Sequence, residues 1–230
     1  MSRRYYLYFL ALVQLMSSNL GAAPIKFLAW DEQVASRKLA VAYGNKSVEI
    51  GYMHPSTRSQ AVNVPSSSEG LRIEVRDRPP VEGVFVSVPL MIPEGIKNPL
   101  AILFPDKSSA SGLGLFIIED DLEALGWGQI SLINATSNPL IFSYDDNRVG
   151  LKPGRTPVLV EPASESGYMQ VKISSVANPD KALYSAVWNY NDGVRKLVFI
   201  MPGKDRSRGA VDFKFILEKR AVVEATQGHR

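Results

Sequence analysis

The sequence contains no cysteine. Disulfides, thiolate metal ligands and cysteine nucleophiles are excluded together. Small exported domains often lean on disulfides, so this chain must rely on its apolar core. Histidine is nearly absent too, with two among 230 residues, His54 and His229. That count excludes a multi-histidine metal site. His54 lies in the turn-like segment Gly51-Tyr52-Met53-His54-Pro55-Ser56, and no Gly-x-Ser-x-Gly elbow accompanies it. It reads as a turn histidine rather than a catalytic base. The pair Gly112-Leu113-Gly114 lacks the third glycine and the following helix of a phosphate cradle. The acidic run Glu119-Asp120-Asp121-Glu123 lacks the Asp-x-Asp-x-Asp-Gly spacing of a calcium loop and reads as a solvated linker. No catalytic residue, cofactor site or metal-ligand set is therefore assigned, and the chain is read as non-enzymatic.

Charge of one sign is also missing. The 26 basic and 23 acidic residues give +3. They are interspersed, without the basic stripe that nucleic acid requires. The first residues read as an export signal. Arg3 and Arg4 are followed by an apolar run from Tyr5 to Met16, then by the small residues Gly21, Ala22 and Ala23. Loss of residues 1–23 removes both arginines and no acid, leaving 24 basic against 23 acidic residues, a net +1. No later window approaches the roughly eighteen apolar residues of a membrane span, so none is expected in the mature chain. The expected location is outside the cytoplasm: periplasm, cell surface or medium.

What is present is the punctuation of a β protein. Short runs rich in Val, Ile and Phe recur at Leu39 to Tyr43, Ala61 to Val64, Leu71 to Val75, Val84 to Val88, Leu100 to Phe104 and Leu115 to Ile118. Most of the 15 prolines and 17 glycines fall between them. The single helical candidate is Glu119 to Leu125.

The second half repeats the first. Leu71 to Val75 matches Met169 to Ile173, and Phe85 to Val88 matches Leu183 to Ala186, both at an offset of 98. Leu100 to Lys107 matches Leu197 to Lys204 at 97, and Leu39 to Tyr43 matches Leu140 to Tyr144 at 101. Each copy has about seven strands in about 95 residues, the size of a small two-sheet sandwich. The expected fold is all-β: two tandem immunoglobulin-like, two-sheet antiparallel β-sandwiches after a signal peptide. The first covers 24–118, a linker covers 119–127, the second covers 128–220, and 221–230 is a flexible tail. Leu125 and Trp127 are expected to anchor the domain junction.

Several segments resemble a pattern in a group of uncharacterised exported bacterial β-sandwich proteins. They are Ile118-Glu119-Asp120-Asp121, then Trp127-Gly128-Gln129-Ile130 leading to Ile133-Asn134-Ala135-Thr136, then Lys152-Pro153-Gly154, and Arg195-Lys196-Leu197-Val198-Phe199-Ile200-Met201-Pro202. The resemblance implies export and a β fold and supplies no activity.

Residues i and i+2 of a strand share a face, so Tyr184, Trp188 and Tyr190 form either an aromatic platform or part of the core. As a platform they would bind a glycan or a protein partner of the envelope. The leading expectation is a binding or scaffolding protein of the cell envelope. A carbohydrate-binding module using those three aromatics, or a hydrolase with an unrecognised carboxylate site, are the alternatives.

Overall fold

The structure, a computed structural model, describes residues 22–65, 70–162, 166–204 and 209–227. The segment read as an export signal lies outside them except for Ala22 and Ala23, which open the first strand.

The first half contains β1 (Ala22–Ala29), a one-turn helix α1 (Glu32–Ala35), β2 (Leu39–Tyr43), β3 (Lys46–Glu49), β4 (Val62–Pro65), β5 (Arg72–Val75), β6 (Ser87–Pro89), β7 (Pro99–Pro105) and β8 (Leu113–Glu119). The second contains β9 (Ile130–Asn134), β10 (Leu140–Tyr144), β11 (Asn147–Leu151), β12 (Val158–Val160), β13 (Ser166–Ser175), β14 (Asn178–Asn191), β15 (Val194–Pro202) and β16 (Val211–Lys219), followed by α2 (Arg220–Gln227). Among the described residues each half thus has eight strands rather than about seven. The stretch expected to be a flexible tail is helical through Gln227. The stretch expected to be a helix, Glu119 to Leu125, instead ends β8 and makes one turn, closed by the Leu125 N–H donating to the Asp121 carbonyl at 3.1 Å.

Two sandwiches result, of identical topology. The sheet orders are β4-β1-β7-β8 and β3-β2-β5-β6 in the first, β12-β9-β15-β16 and β11-β10-β13-β14 in the second. Every strand of one half has its counterpart eight strands later. Pairing is antiparallel except for β1 with β7 and β9 with β15, which are parallel. Equivalent hairpins turn at Gly44 (φ 51°) and at Asp145 (φ 45°), the left-handed conformation that two-residue hairpin turns need. The pairings also refine the repeat. Val41 faces Ile73 and Phe142 faces Ile173, so β5 and β13 correspond at an offset of 100. The apolar match at 98 has the right strand and the right face but slips by one pleat period, because alternating strands match equally well every two residues.

Each sandwich has its own core. Phe27, Val41, Ile73, Ala101 and Leu103 lie in the first, and Leu132, Phe142, Ile173, Val198 and Ile200 in the second. A third cluster joins them. Leu28, Leu100, Ile102 and Ile118 project from the outer face of β1, β7 and β8, and Ile133, Leu197, Phe199 and Ile216 from that of β9, β15 and β16. These are the same four positions of each copy. Ile102 pairs with Leu28 as Phe199 pairs with Ile133, and Leu100 pairs with Ile118 as Leu197 pairs with Ile216. The two sandwiches therefore meet through equivalent faces, as the subunits of a twofold dimer do. Burial on both faces explains why β7 and β15 are continuous apolar runs, Leu-Ala-Ile-Leu and Leu-Val-Phe-Ile, while outer strands such as β10 alternate buried and half-buried residues.

Candidate functional site

The aromatic residues of β14 are not a surface platform. Trp188 is 7% exposed and Tyr190 6%, both within the second core. Trp188 packs against Phe142, Phe213 and Phe215 at ring distances of 5.5, 5.6 and 5.2 Å. Its indole N–H donates to the Tyr184 hydroxyl at 3.0 Å, and Tyr184 lies 4.4 Å from Phe213. Together they plug the open side of the sandwich between the edge strands β14 and β16. The i, i+2 spacing places the three side chains on one face. Which face it is depends on the neighbouring sheet, and here it is the inner one; Val187, of opposite parity, is the exposed residue.

His54 belongs to its own turn, its Nδ1 accepting the Ser56 N–H at 3.1 Å. Three of the four carboxylates in the acidic run have separate structural partners, so it is not simply a solvated linker; Glu123 alone is exposed. Glu119 accepts the N–H groups of Lys97 and Asn98 at 2.7 and 2.8 Å. Asp121 accepts those of Glu123 and Ala124 at 2.9 and 2.7 Å. Asp120 is buried, 3% exposed, between the sandwiches.

Asp120 organises one end of the interface. It receives a bidentate pair of hydrogen bonds from Arg58, both 2.7 Å, and lies 3.7 Å from Lys26 and 3.5 Å from Arg195. Arg195 of β15 pairs with Glu218 of β16 and donates to the carbonyls of Asp120, Asp121 and Leu125 at 3.3, 3.1 and 3.2 Å. Burial disfavours the Arg58 charge, but the hydrogen bond and attraction of Asp120, with a further pull from Glu218, outweigh it and raise its pKa above the ordinary value. Asp120 and Glu218 follow Ile118 and Ile216 at the same two-residue spacing, so they are equivalent positions of the two copies. Leu125 is buried in the shared cluster. Trp127 is half-buried, with the guanidinium groups of Arg195 and Arg220 over its ring at 5.6 and 5.7 Å.

The other end of the interface is open. A hollow of about 430 Å³ lies between the sandwiches, within the size range of small-molecule sites. Phe199 and Ile133 form its buried floor. Trp30 forms one wall, edge-on to Phe199 at 5.1 Å, and its backbone N–H donates to the Leu103 carbonyl at 2.8 Å. Phe104 and Phe116 form the other, with the Arg155 guanidinium over both rings at 5.6 and 5.2 Å. The twofold relation explains why space remains. Trp30 follows Leu28 as Ala135 follows Ile133, so a small side chain answers the indole. A second hollow, reaching Met91 and Pro93, adjoins the first across Phe104, Phe116 and Arg155.

The rim is rigidly held. Asn134, 1% exposed, donates to the carbonyls of Asn138 and Leu151 at 2.8 and 3.0 Å and accepts from the Thr136 N–H and hydroxyl at 3.0 and 2.7 Å. The Gly154 N–H donates to the Asn134 carbonyl at 2.9 Å. The Asn-containing turn and the Pro-Gly turn, separate motifs in the sequence, are thus neighbours at the mouth of the hollow. Opposite them, Gly114 in β8 makes room for Phe104. A β-carbon there would stand 2.5 Å from two ring atoms. Gly114→Ala is expected to swing the Phe104 ring, lower stability by roughly 1–3 kcal/mol and change the shape of the hollow. Chemical denaturation together with aromatic NMR shifts checks this; an unchanged Phe104 environment would contradict it.

Sequence reasoning missed Trp30, Phe104, Phe116, Phe199 and Arg155. One signal was available: a glycine inside a strand, Gly114 between Leu113 and Leu115, marks a close approach of another group. No protein-family model matches this chain, and no curated protein matches it in sequence.

Proposed function

We propose that this chain is an exported, non-enzymatic binding protein of the cell envelope, and that its ligand seat is the aromatic hollow between the sandwiches. The observation that carries the reading is the hollow itself. Three half-buried aromatic side chains of the first repeat and a buried floor from the second converge at the end of the interface where Trp30 is answered by Ala135. A hydrolytic reading has less support. Asp120 and Glu218 do converge, but both are neutralised by Arg58 and Arg195, so neither is placed to act on a substrate.

The seat is tested by uptake of the neutral apolar fluorophore N-phenyl-1-naphthylamine. The wild type takes up the probe, and A135W, which answers Trp30 with a second indole, reduces uptake at least tenfold while leaving the circular dichroism unchanged. Wild-type uptake by a folded A135W places the seat elsewhere. Export is tested separately in a bacterial host. Recovery of the protein outside the cytoplasm, with a new N-terminus near Ala22, supports it; full-length protein retained in the cytoplasm removes it.

A further inference from the structure

We infer that the hollow takes a small anion with a flat apolar body, an aromatic or aliphatic carboxylate or sulfonate, and that Arg155 is the residue that receives its charge. This rests on the reading of the hollow as a ligand seat. Arg155 is the one charged side chain among the described residues lining the hollow. Its guanidinium lies over the Phe104 and Phe116 rings, which position it without using its N–H donors. Among the described residues no carboxylate pairs with it; Arg78, Arg148 and Arg220 share that state, but of these four only Arg155 lines the hollow. A guanidinium held over two rings at the mouth of an apolar hollow is complementary to an anion. A neutral ligand covering it would remove water from its donors without replacing those hydrogen bonds, and a cation would be repelled.

Size limits the ligand further. The hollow, about 430 Å³ and open at its mouth, has the size of a small-molecule site and admits a fused or paired ring system with its acid, not a folded chain segment. The buried floor of Phe199 and Ile133 receives the ring face or aliphatic body, and Trp30 closes one side.

Two probes that differ mainly in charge separate the claims. The first, 8-anilinonaphthalene-1-sulfonate, carries a sulfonate; N-phenyl-1-naphthylamine does not. With the full chain, R155Q is expected to weaken the sulfonate probe about tenfold, the effect of one charge-assisted hydrogen bond, and to weaken the neutral probe by clearly less. Affinity for the sulfonate probe is expected to fall with added salt in the wild type and much less in R155Q. Equal losses for both probes in R155Q, or no loss for either, overturn the anion assignment even where A135W abolishes uptake and the seat itself stands. Uptake of both probes by A135W at wild-type strength overturns the seat, and the anion assignment with it. Because Arg155 is exposed, R155Q retains the fold, and identical thermal unfolding is the control.

Discussion

Asp120→Ala is expected to lower the free energy of unfolding by about 3–5 kcal/mol, the cost of removing one partner from a buried ion pair. The side chains of Arg58 and Arg195 are each 4% exposed, and Asp120 holds both. Without it Arg58 retains only a distant attraction to Glu218, at 3.9 Å, and its charge stays out of water. Arg195 keeps Glu218, so the two arginines do not suffer equally. Arg58→Ala combined with Asp120→Ala removes the charge together with its partner and is expected to be less destabilised than Asp120→Ala alone. Urea denaturation of the two variants checks both statements. A loss below about 1 kcal/mol for Asp120→Ala would assign the cluster to the solvated class of ion pairs.

Phe199→Ala is expected to cost about 3–5 kcal/mol as well, through a different cause. Phe199 is fully buried between the sandwiches, with Trp30 and Phe116 around it at ring distances of 5.1 and 6.2 Å. Truncation removes the floor of the hollow and opens a cavity that rigid sheets on both sides close only in part. The same variant is expected to lose most of its uptake of apolar probes, because a deepened, water-accessible floor no longer meets the ligand. Denaturation together with probe titration measures both effects. Full stability in Phe199→Ala would show that the sandwiches separate freely at this end; full stability with full uptake would remove Phe199 from the seat. Phe199→Leu keeps most of the volume and is expected to recover most of the stability.

The arrangement makes the interface a continuous strip. Buried charges hold one end, apolar residues fill the middle, and the aromatic hollow occupies the other end. Equivalent strands of the two halves run in the same direction at the interface, since the chain just beyond β8 and the end of β16 share the ion cluster. The ends of equivalent strands thus gather equivalent residues. Asp120 and Glu218 meet at one end, and at the other Trp30 meets the smaller Ala135 region. A change at the ion cluster and a change at the hollow act on one packed interface, so the two sets of variants are expected to couple when combined.

The sequence alone determined the strand-rich fold, the doubling of the unit and the positions of its turns. Apolar alternation, β-branched runs and Gly, Asn and Asp at strand ends are local signals, and local backbone preference enforces them. It also determined that Tyr184, Trp188 and Tyr190 share one face. Only the tertiary structure decided that this face is inward, since parity along a strand does not say on which side a second sheet lies. Likewise the unbroken runs Leu100 to Phe104 and Leu197 to Ile200 read as strands, but what covers their second face is another domain, and no local pattern encodes that. The hollow was illegible for the same reason. Trp30, Phe104, Phe116, Arg155 and Phe199 lie on five separate segments. They become neighbours only when two equivalent sheets pack face to face and a tryptophan on one side meets an alanine on the other.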